Sequence, residues 1–327
     1  MKYMGKKFLC KSVWMMGIPV LAILLLHPCT VLAKASVFRG GDIAYKDLAE
    51  LALGGGMTEM LRETKKTVKY TIFSTTNYGN TKMNTIADTE ITGYGEVIGA
   101  GRRFLIGKGK MFSGGIYYER SRSESDSWTN NGKTKGKGIQ NGGGIMGRLD
   151  VKSGNYYEWL LHIGRANNRV NSAALKYEAD PSYIGLALTY GHRFTVGEGC
   201  YFSPYLSYFY NRTQRKNVQL ANFDLDIEDV KSHKTKLGIQ YVRELKRGKT
   251  VIRPYAGLSW NHEFDGKAAI HIKGVPDPEF PDIRGDTVSS ELGCKWEIKN
   301  WNIGLGVEGF LGKREGWNTT LAIVCTL

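Results

Sequence analysis

The chain has 327 residues, with 45 Lys and Arg against 31 Asp and Glu, a formal charge of +14 and a mean hydropathy of −0.31. Beyond the first 35 residues it holds no apolar run long enough to cross a membrane as a helix, since a transmembrane helix needs about 20 apolar residues. The basic balance carries no basic helix or nucleic-acid signature, so an anionic membrane surface is the expected counterpart and nucleic acid is not.

Residues 1–35 carry Lys2, Lys6, Lys7 and Lys11, then the apolar run GIPVLAILLL over 17–26, then Ala33, Lys34 and Ala35. A basic start, a short apolar stretch and a small-x-small site predict a secretory signal peptide cut after Ala35, and therefore export. The five lysines of this stretch, unopposed by any acid, leave the rest of the chain at +9. Cys10 and Cys29 leave with it, and the remaining Cys200, Cys294 and Cys325 show neither a disulfide framework nor metal-ligand spacing.

Residues 36–66 are read as a short linker, a pore helix or a remnant of a longer N-terminal domain. KDLAELAL over 46–53 and MTEMLRETKK over 57–66 use good helix formers, with Leu48, Leu51, Met57, Met60 and Leu61 as the apolar positions, but Gly54, Gly55 and Gly56 interrupt them. A full helix over 45–66 would span about 33 Å at 1.5 Å per residue, enough to thread a membrane.

From residue 67 the dominant period is two. In VIRPYAGLSWNHEF over 251–264, Ile252, Pro254, Ala256, Leu258, Trp260 and Phe264 share one face, and Arg253, Tyr255, Gly257, Ser259, Asn261 and Glu263 the other. Tyr157, Trp159, Leu161 and Ile163 likewise oppose Glu158 and His162, and Leu292, Cys294, Trp296 and Ile298 oppose Glu291, Lys295 and Glu297. A soluble β-protein would have to bury one of these faces, and burying unpaired charges costs several kcal/mol each. The apolar face is therefore expected outside, in lipid, with Glu158, His162, Arg253, Glu263, Glu291, Lys295 and Glu297 lining a polar lumen.

Twelve strands are predicted: 67–76, 89–101, 110–121, 135–149, 154–165, 182–195, 200–212, 232–245, 249–264, 286–298, 301–311 and 316–327. Short Gly- or Lys-bearing turns alternate with long polar loops over 122–134, 166–181, 213–231 and 265–285, which predicts short periplasmic turns, long external loops and both ends of the barrel at the periplasmic side. The last stretch, GWNTTLAIVCTL over 316–327, alternates to the end, with Trp317, Leu321, Ile323, Cys325 and Leu327 on one face. Such a strand leaves backbone groups open unless the first strand pairs with it, which asks for a closed barrel.

In this order, RPYAGLSWNHEF over 253–264, GLALTYGHRFTVGEGCYFSPYLSYFY over 185–210 and the terminal strand opened by Gly316 and Trp317 resemble the autotransporter translocator domain of type V secretion, over roughly residues 67–327. The resemblance implies an all-β, twelve-stranded, single-chain barrel in outer-membrane lipid, delivered by the secretory translocon and the barrel-assembly machinery. It also implies transport or anchoring of the chain's own N-terminal segment, with a helix left in the pore. Two features depart from the family: Leu327 stands where an aromatic usually ends the chain, and residues 36–66 stand where a long passenger usually precedes the barrel. A plugged pore, a structural barrel and a loop-mediated adhesin remain as alternatives, with an outer-membrane enzyme behind them.

No catalytic residue, metal or cofactor is expected. GLGVEG over 304–309 lies within a strand and lacks the helix that holds a pyrophosphate. His162, His192, His233, His262 and His271 are scattered, and His262, Glu263 and Asp265 lack a nucleophile. DLDIED over 224–229 lacks the ligand pattern of a calcium loop and is read as a solvated external loop.

Overall fold

The computed structural model describes residues 70–83, 88–107, 109–129, 132–171, 176–220, 223–266, 269–272 and 282–327, and every regular element among them is a strand. The predicted signal peptide and the candidate pore helix lie outside these residues.

In chain order the strands are β1 (Thr71–Met83), β2 (Asp88–Leu105), β3 (Lys110–Thr129), β4 (Gly132–Val151), β5 (Asn155–Asn171), β6 (Lys176–Ala179), β7 (Ser182–His192), β8 (Phe194–Gly197), β9 (Cys200–Thr213), β10 (Lys216–Leu220), β11 (Phe223–Ile227), β12 (Val230–Arg243), β13 (Leu245–Arg247), β14 (Thr250–Glu263), β15 (Ile270–Ile272), β16 (Gly285–Ile298), β17 (Trp301–Gly312) and β18 (Arg314–Thr326). Twelve of them, β1–β5, β7, β9, β12, β14 and β16–β18, pair antiparallel in a ring. Neighbours in the ring follow chain order, with β9 against β12 across the intervening β10 and β11, and the ring closes where β1 pairs with β18.

The β1–β18 seam runs from Thr71 opposite Thr326 to Met83 opposite Arg314. The strand that ends the alternating pattern thus finds its partner in the first strand, and no barrel edge is left unpaired. The short connections lie at the end of the barrel where β1 starts and β18 finishes. They use positive φ: Gly248, at φ 60°, turns the chain into β14 at no steric cost, and Lys299, at φ 55°, is held in the left-handed region by the two-residue turn between β16 and β17.

Alternation places the apolar face outward. Ile98, Ile116, Ile163, Leu188, Leu258, Leu292, Val307 and Leu321 are all exposed, while their strand neighbours Val97, Tyr117, His162, Thr189, Ser259 and Ala322 are buried. A belt of exposed aliphatic side chains, edged by Tyr78, Tyr94, Trp260 and Trp317 at one end and Phe104, Tyr157, Tyr190 and Trp301 at the other, is the surface that hydrocarbon and its two interfaces require. The pair Gly257 and Leu258 tests this directly. Leu258→Arg places a cation in the belt and is expected to destabilise the barrel by about 2–4 kcal/mol. Gly257→Ala puts a methyl 3.6 Å from Glu291 on the inner side, an ordinary contact, and is expected to stay within about 0.5 kcal/mol. The urea midpoint for loss of the heat-modifiable gel band reads both.

Three sequence expectations change. The first strand runs on to Met83 rather than ending at residue 76, because Tyr78, Asn80 and Lys82 outside and Asn77, Gly79 and Thr81 inside give little polarity contrast although β18 pairs with them throughout; residues 67–69 of the predicted strand lie outside the described residues. The predicted loops 122–134 and 166–181 are largely strand: β5 runs on to Asn171 and pairs with β6, and β3 and β4 form a hairpin of 20 residues on each side. That is about twice the length that crosses a bilayer, and beyond Tyr118 its outer face turns polar. The predicted loops 213–231 and 265–285 contain a second, three-stranded sheet of β10, β11 and β15. That sheet has its own small core, in which Ala179, Leu225 and Ile227 are buried with Tyr177 and Val218 against them.

Candidate functional site

The interior of the barrel gathers the inward face of every stave, and its charged groups fall into clusters. Near the short-turn end, Arg148 on β4 is almost wholly buried, reaches Glu158 on β5 at 2.5 Å and Asp150 at 3.0 Å, and lies over the Tyr156 ring at 4.2 Å. Across the barrel, Arg253 on β14 bonds Glu244 and Glu297, each at 3.0 Å. Lys295, opposite Arg253 in register on β16, stands over the Tyr255 ring at 5.2 Å.

At mid-height His162 on β5 lies between two oxygen acceptors. Its Nδ1 is 3.0 Å from Glu119 Oε1 and its Nε2 is 3.1 Å from Asn211 Oδ1, while the Tyr183 hydroxyl donates to the same Glu119 oxygen at 2.9 Å. Four strands, β3, β5, β7 and β9, are tied together at this point. Gly185 makes the space, since a Cβ there would fall 2.0 Å from His162 Nε2 and 2.1 Å from Asn211 Oδ1. On the facing wall Lys236 on β12 reaches past β14 and β16 to Glu308 on β17 at 3.2 Å, with Glu291 on β16 between them in strand order. Nearer the mouth Glu263 accepts from Ser232 Oγ at 2.8 Å, and Lys234 stands over Phe209 at 4.9 Å.

Of the residues singled out from sequence, Glu158, His162, Arg253, Glu263, Lys295 and Glu297 are buried and Glu291 is partly buried, all on inward positions of their strands. Arg253 and Glu297 bond each other. Residues that sequence reasoning passed over join the network around them: Arg148, Glu119, Tyr183, Asn211, Ser232, Lys236 and Glu308. Arg148 and Glu119 were hidden by Gly-rich or Ser-rich surroundings with no apolar alternation. Their inward parity becomes visible only once β3, β4 and β5 are in register.

The interior is also uneven. An apolar cluster that includes Phe73, Val97, Tyr117, Met146, Leu160 and Phe209 is buried within it, so the lumen is not lined by charge alone. Along the middle of β17, β18, β1 and β2 several inward residues are small, among them Gly306, Gly316, Thr320, Gly79 and Gly93, with the larger Phe73, Val97, Arg103, Phe310 and Arg314 on the same strands, whereas β9, β12, β14 and β16 contribute Tyr205, Lys236, Arg253 and Lys295. On the small-residue wall Asn77 Oδ1, Asn318 Oδ1 and Asn302 Oδ1 are buried without a hydrogen-bond partner. A buried amide oxygen left unmade costs about 1–3 kcal/mol, so these oxygens call for a polar partner, water or a chain segment.

At the long-loop end the second sheet and its flanks are knit by ion pairs. Arg215 meets Asp226, Arg212 meets Asp229 at 2.5 Å, Lys216 meets Asp180 at 2.6 Å, and His271 meets Glu228 at 3.0 Å. The hydrogen bond from Arg212 holds the Asp229 carboxyl below its ordinary range, and that from Lys216 does the same for Asp180. Three acids of DLDIED, Asp226, Glu228 and Asp229, are thus engaged by the chain's own bases, and this loop is part of a folded cap. Among the described residues no group of three or more His, Cys, Asp or Glu is arranged to hold a metal.

The chain matches the Autotransporter beta-domain family over residues 72–308. It is 25% identical over 137 residues to Autotransporter CRAC of Citrobacter rodentium (strain ICC168), covering 40% of this chain and 9% of that protein. It is 23% identical over 185 residues to the BrkA autotransporter of Bordetella pertussis (strain Tohama I), covering 54% of this chain and 18% of that protein. The matched stretches are less than a fifth of either relative's length. Among solved structures, the beta domain of the Bordetella autotransporter BrkA gives a TM-score of 0.65 at 17% identity, covering 79% of this chain and 99% of that one. The transport unit of AIDA-I from Escherichia coli gives 0.61 at 17% identity over 89% of this chain and all of that one. The translocator domain of NalP from Neisseria meningitidis gives 0.60 at 14% identity over 86% and 98%. A closed twelve-stranded barrel, apolar outside and ion-paired within, matched to one family over most of its length, makes this chain a member of the autotransporter beta-domain family and a translocator barrel of the Gram-negative outer membrane.

Proposed function

We propose that the barrel carries the segment ahead of Thr71, residues 36–66, through its lumen and then anchors it there, after residues 1–35 have directed export and been removed. The observation that carries this reading is the small-residue wall of β17, β18, β1 and β2 with its unpartnered Asn77, Asn302 and Asn318 oxygens. It offers polar groups alongside β1, the strand to which the segment is joined. Leu48, Leu51, Met57, Met60 and Leu61 would supply the apolar side of a helix there, facing the buried cluster around Phe73 and Tyr117.

Delivery follows the order of parts. The secretory translocon takes the exported chain, and the barrel-assembly machinery receives β18, whose outward Trp317, Leu321, Ile323 and Cys325, followed by Leu327, form the insertion strand. No catalytic step, cofactor or nucleotide enters this scheme. The folded cap of β10, β11 and β15 favours a second role for the external loops, in adhesion.

An epitope tag between Ser36 and Val37, probed with antibody on intact cells, tests the translocation reading. Labelling of intact cells is the expected result. Labelling only after the outer membrane is opened would replace it with a plugged or structural barrel.

A further inference from the structure

On one side of the barrel the belt ends in arginine. β3 runs outward from Ile116 and Tyr118 to Arg120 and Arg122, and β5 runs from Leu161 and Ile163 to Arg165, all exposed on the lipid-facing side. Arg120 is opposite Asn141 on β4, and Asn141 is opposite Arg165. Arg120 and Arg165 are therefore two strand spacings apart, about 10 Å, and Arg122 lies about 7 Å further along β3.

The acids of this face are largely engaged elsewhere. Lys137 holds Glu124 at 2.7 Å, Lys133 holds Asp126 at 2.8 Å, Arg169 holds Glu178 at 3.0 Å, and Lys216 holds Asp180 at 2.6 Å. Glu96 on β2, opposite Arg120, is the remaining neighbouring acid. Asn141 is oriented as well: its Oδ1 accepts from the Tyr118 hydroxyl at 2.9 Å, which leaves its amide hydrogens as donors between the arginines.

Three guanidinium groups and an oriented amide thus stand one step above exposed Tyr118 and Ile163, at the depth where the head groups of the outer leaflet lie. Guanidinium pairs with phosphate through two parallel hydrogen bonds, and basic residues beside a membrane-spanning surface recognise anionic head groups. In the outer leaflet of a Gram-negative outer membrane the abundant phosphorylated lipid is lipid A, the acylated and phosphorylated disaccharide base of lipopolysaccharide. We propose that Arg120, Arg122, Asn141 and Arg165 form a binding site for a lipid A phosphate on the outer wall of the barrel. The site is independent of what passes through the lumen.

The test uses the folded full chain in detergent, titrated with bisphosphorylated lipid A, with lipid A stripped of its phosphates and with phosphatidylglycerol, and read by native mass spectrometry. Wild type is expected to bind bisphosphorylated lipid A at least tenfold more tightly than the other two. The triple variant Arg120→Gln, Arg122→Gln and Arg165→Gln, shown to be folded by its heat-modifiable migration, is expected to lose that preference. Lys231→Gln, at the outer end of β12, is expected to keep it. Equal binding by the triple variant, equal binding of phosphatidylglycerol, or no lipid A bound to wild type would overturn the assignment. The comparison of lipids on wild type decides the matter even if the triple variant does not fold.

Discussion

Leu321→Pro is expected to abolish the folded barrel. Leu321 lies in the middle of β18, opposite Leu305 on β17 and Thr76 on β1. Proline has no N–H to donate, so one ladder bond is lost and the carbonyl across from it is stranded. In water such a carbonyl would find a solvent partner, but in the bilayer it finds none, at several kcal/mol per unsatisfied group. The loss falls on the closing seam, where a locally displaced strand exposes two edges rather than one. The heat-modifiable band of the folded form should be absent from membranes of the variant. Leu321→Ala keeps the backbone and removes only a side chain that faces lipid, so its band should persist. Recovery of a normal folded band for Leu321→Pro would mean that the β1–β18 seam does not close the barrel.

The second large effect is expected at Arg148. This guanidinium is buried against Glu158, Asp150 and the Tyr156 ring. Arg148→Met keeps a chain of similar bulk and removes the guanidinium that the buried Glu158 carboxylate bonds at 2.5 Å. Breaking one partner of a buried pair costs about 3–5 kcal/mol. The cost should appear as a large fall in the urea midpoint of the folded band. Adding Glu158→Gln removes the carboxylate charge and should restore most of the midpoint, because a neutral amide costs far less to bury than a carboxylate. If the single variant is as stable as wild type, the cluster is solvated and carries no structural load. If the double variant is no better than the single one, the loss lies in packing on Tyr156 rather than in charge.

The strands that were easiest to read are those with strong contrast between faces. In β14, Leu258 and Trp260 alternate with Arg253 and Glu263, and the observed strand, Thr250–Glu263, differs from the predicted one by a residue at each end. Where the contrast is weak the pattern failed locally. The outer half of β3 reads as alternating Ser and charge, so residues 122–134 passed for a loop although β3 runs to Thr129 and β4 starts at Gly132. The strand character of this hairpin comes from cross-strand bonding, as in Ser121 donating to Gln140 Oε1 at 2.8 Å. Periodicity in one strand cannot report that.

What the sequence determined by itself is the face of each strong strand, the number of staves and the side of the barrel on which its ends lie. Those follow from parity and turn length, which are local and survive translation into any register. What only the tertiary structure decided is partnership. Glu119 meets His162, 43 residues away, and Lys236 meets Glu308, 72 residues away. Those pairings depend on the stagger of neighbouring strands and on the curvature that brings β12 within reach of β17. The same is true of the cap, where β15 joins β10 and β11 across more than 40 residues of chain. It is also true of Arg120, Asn141 and Arg165, which lie on three separate strands and become a single surface only through the register of β3, β4 and β5.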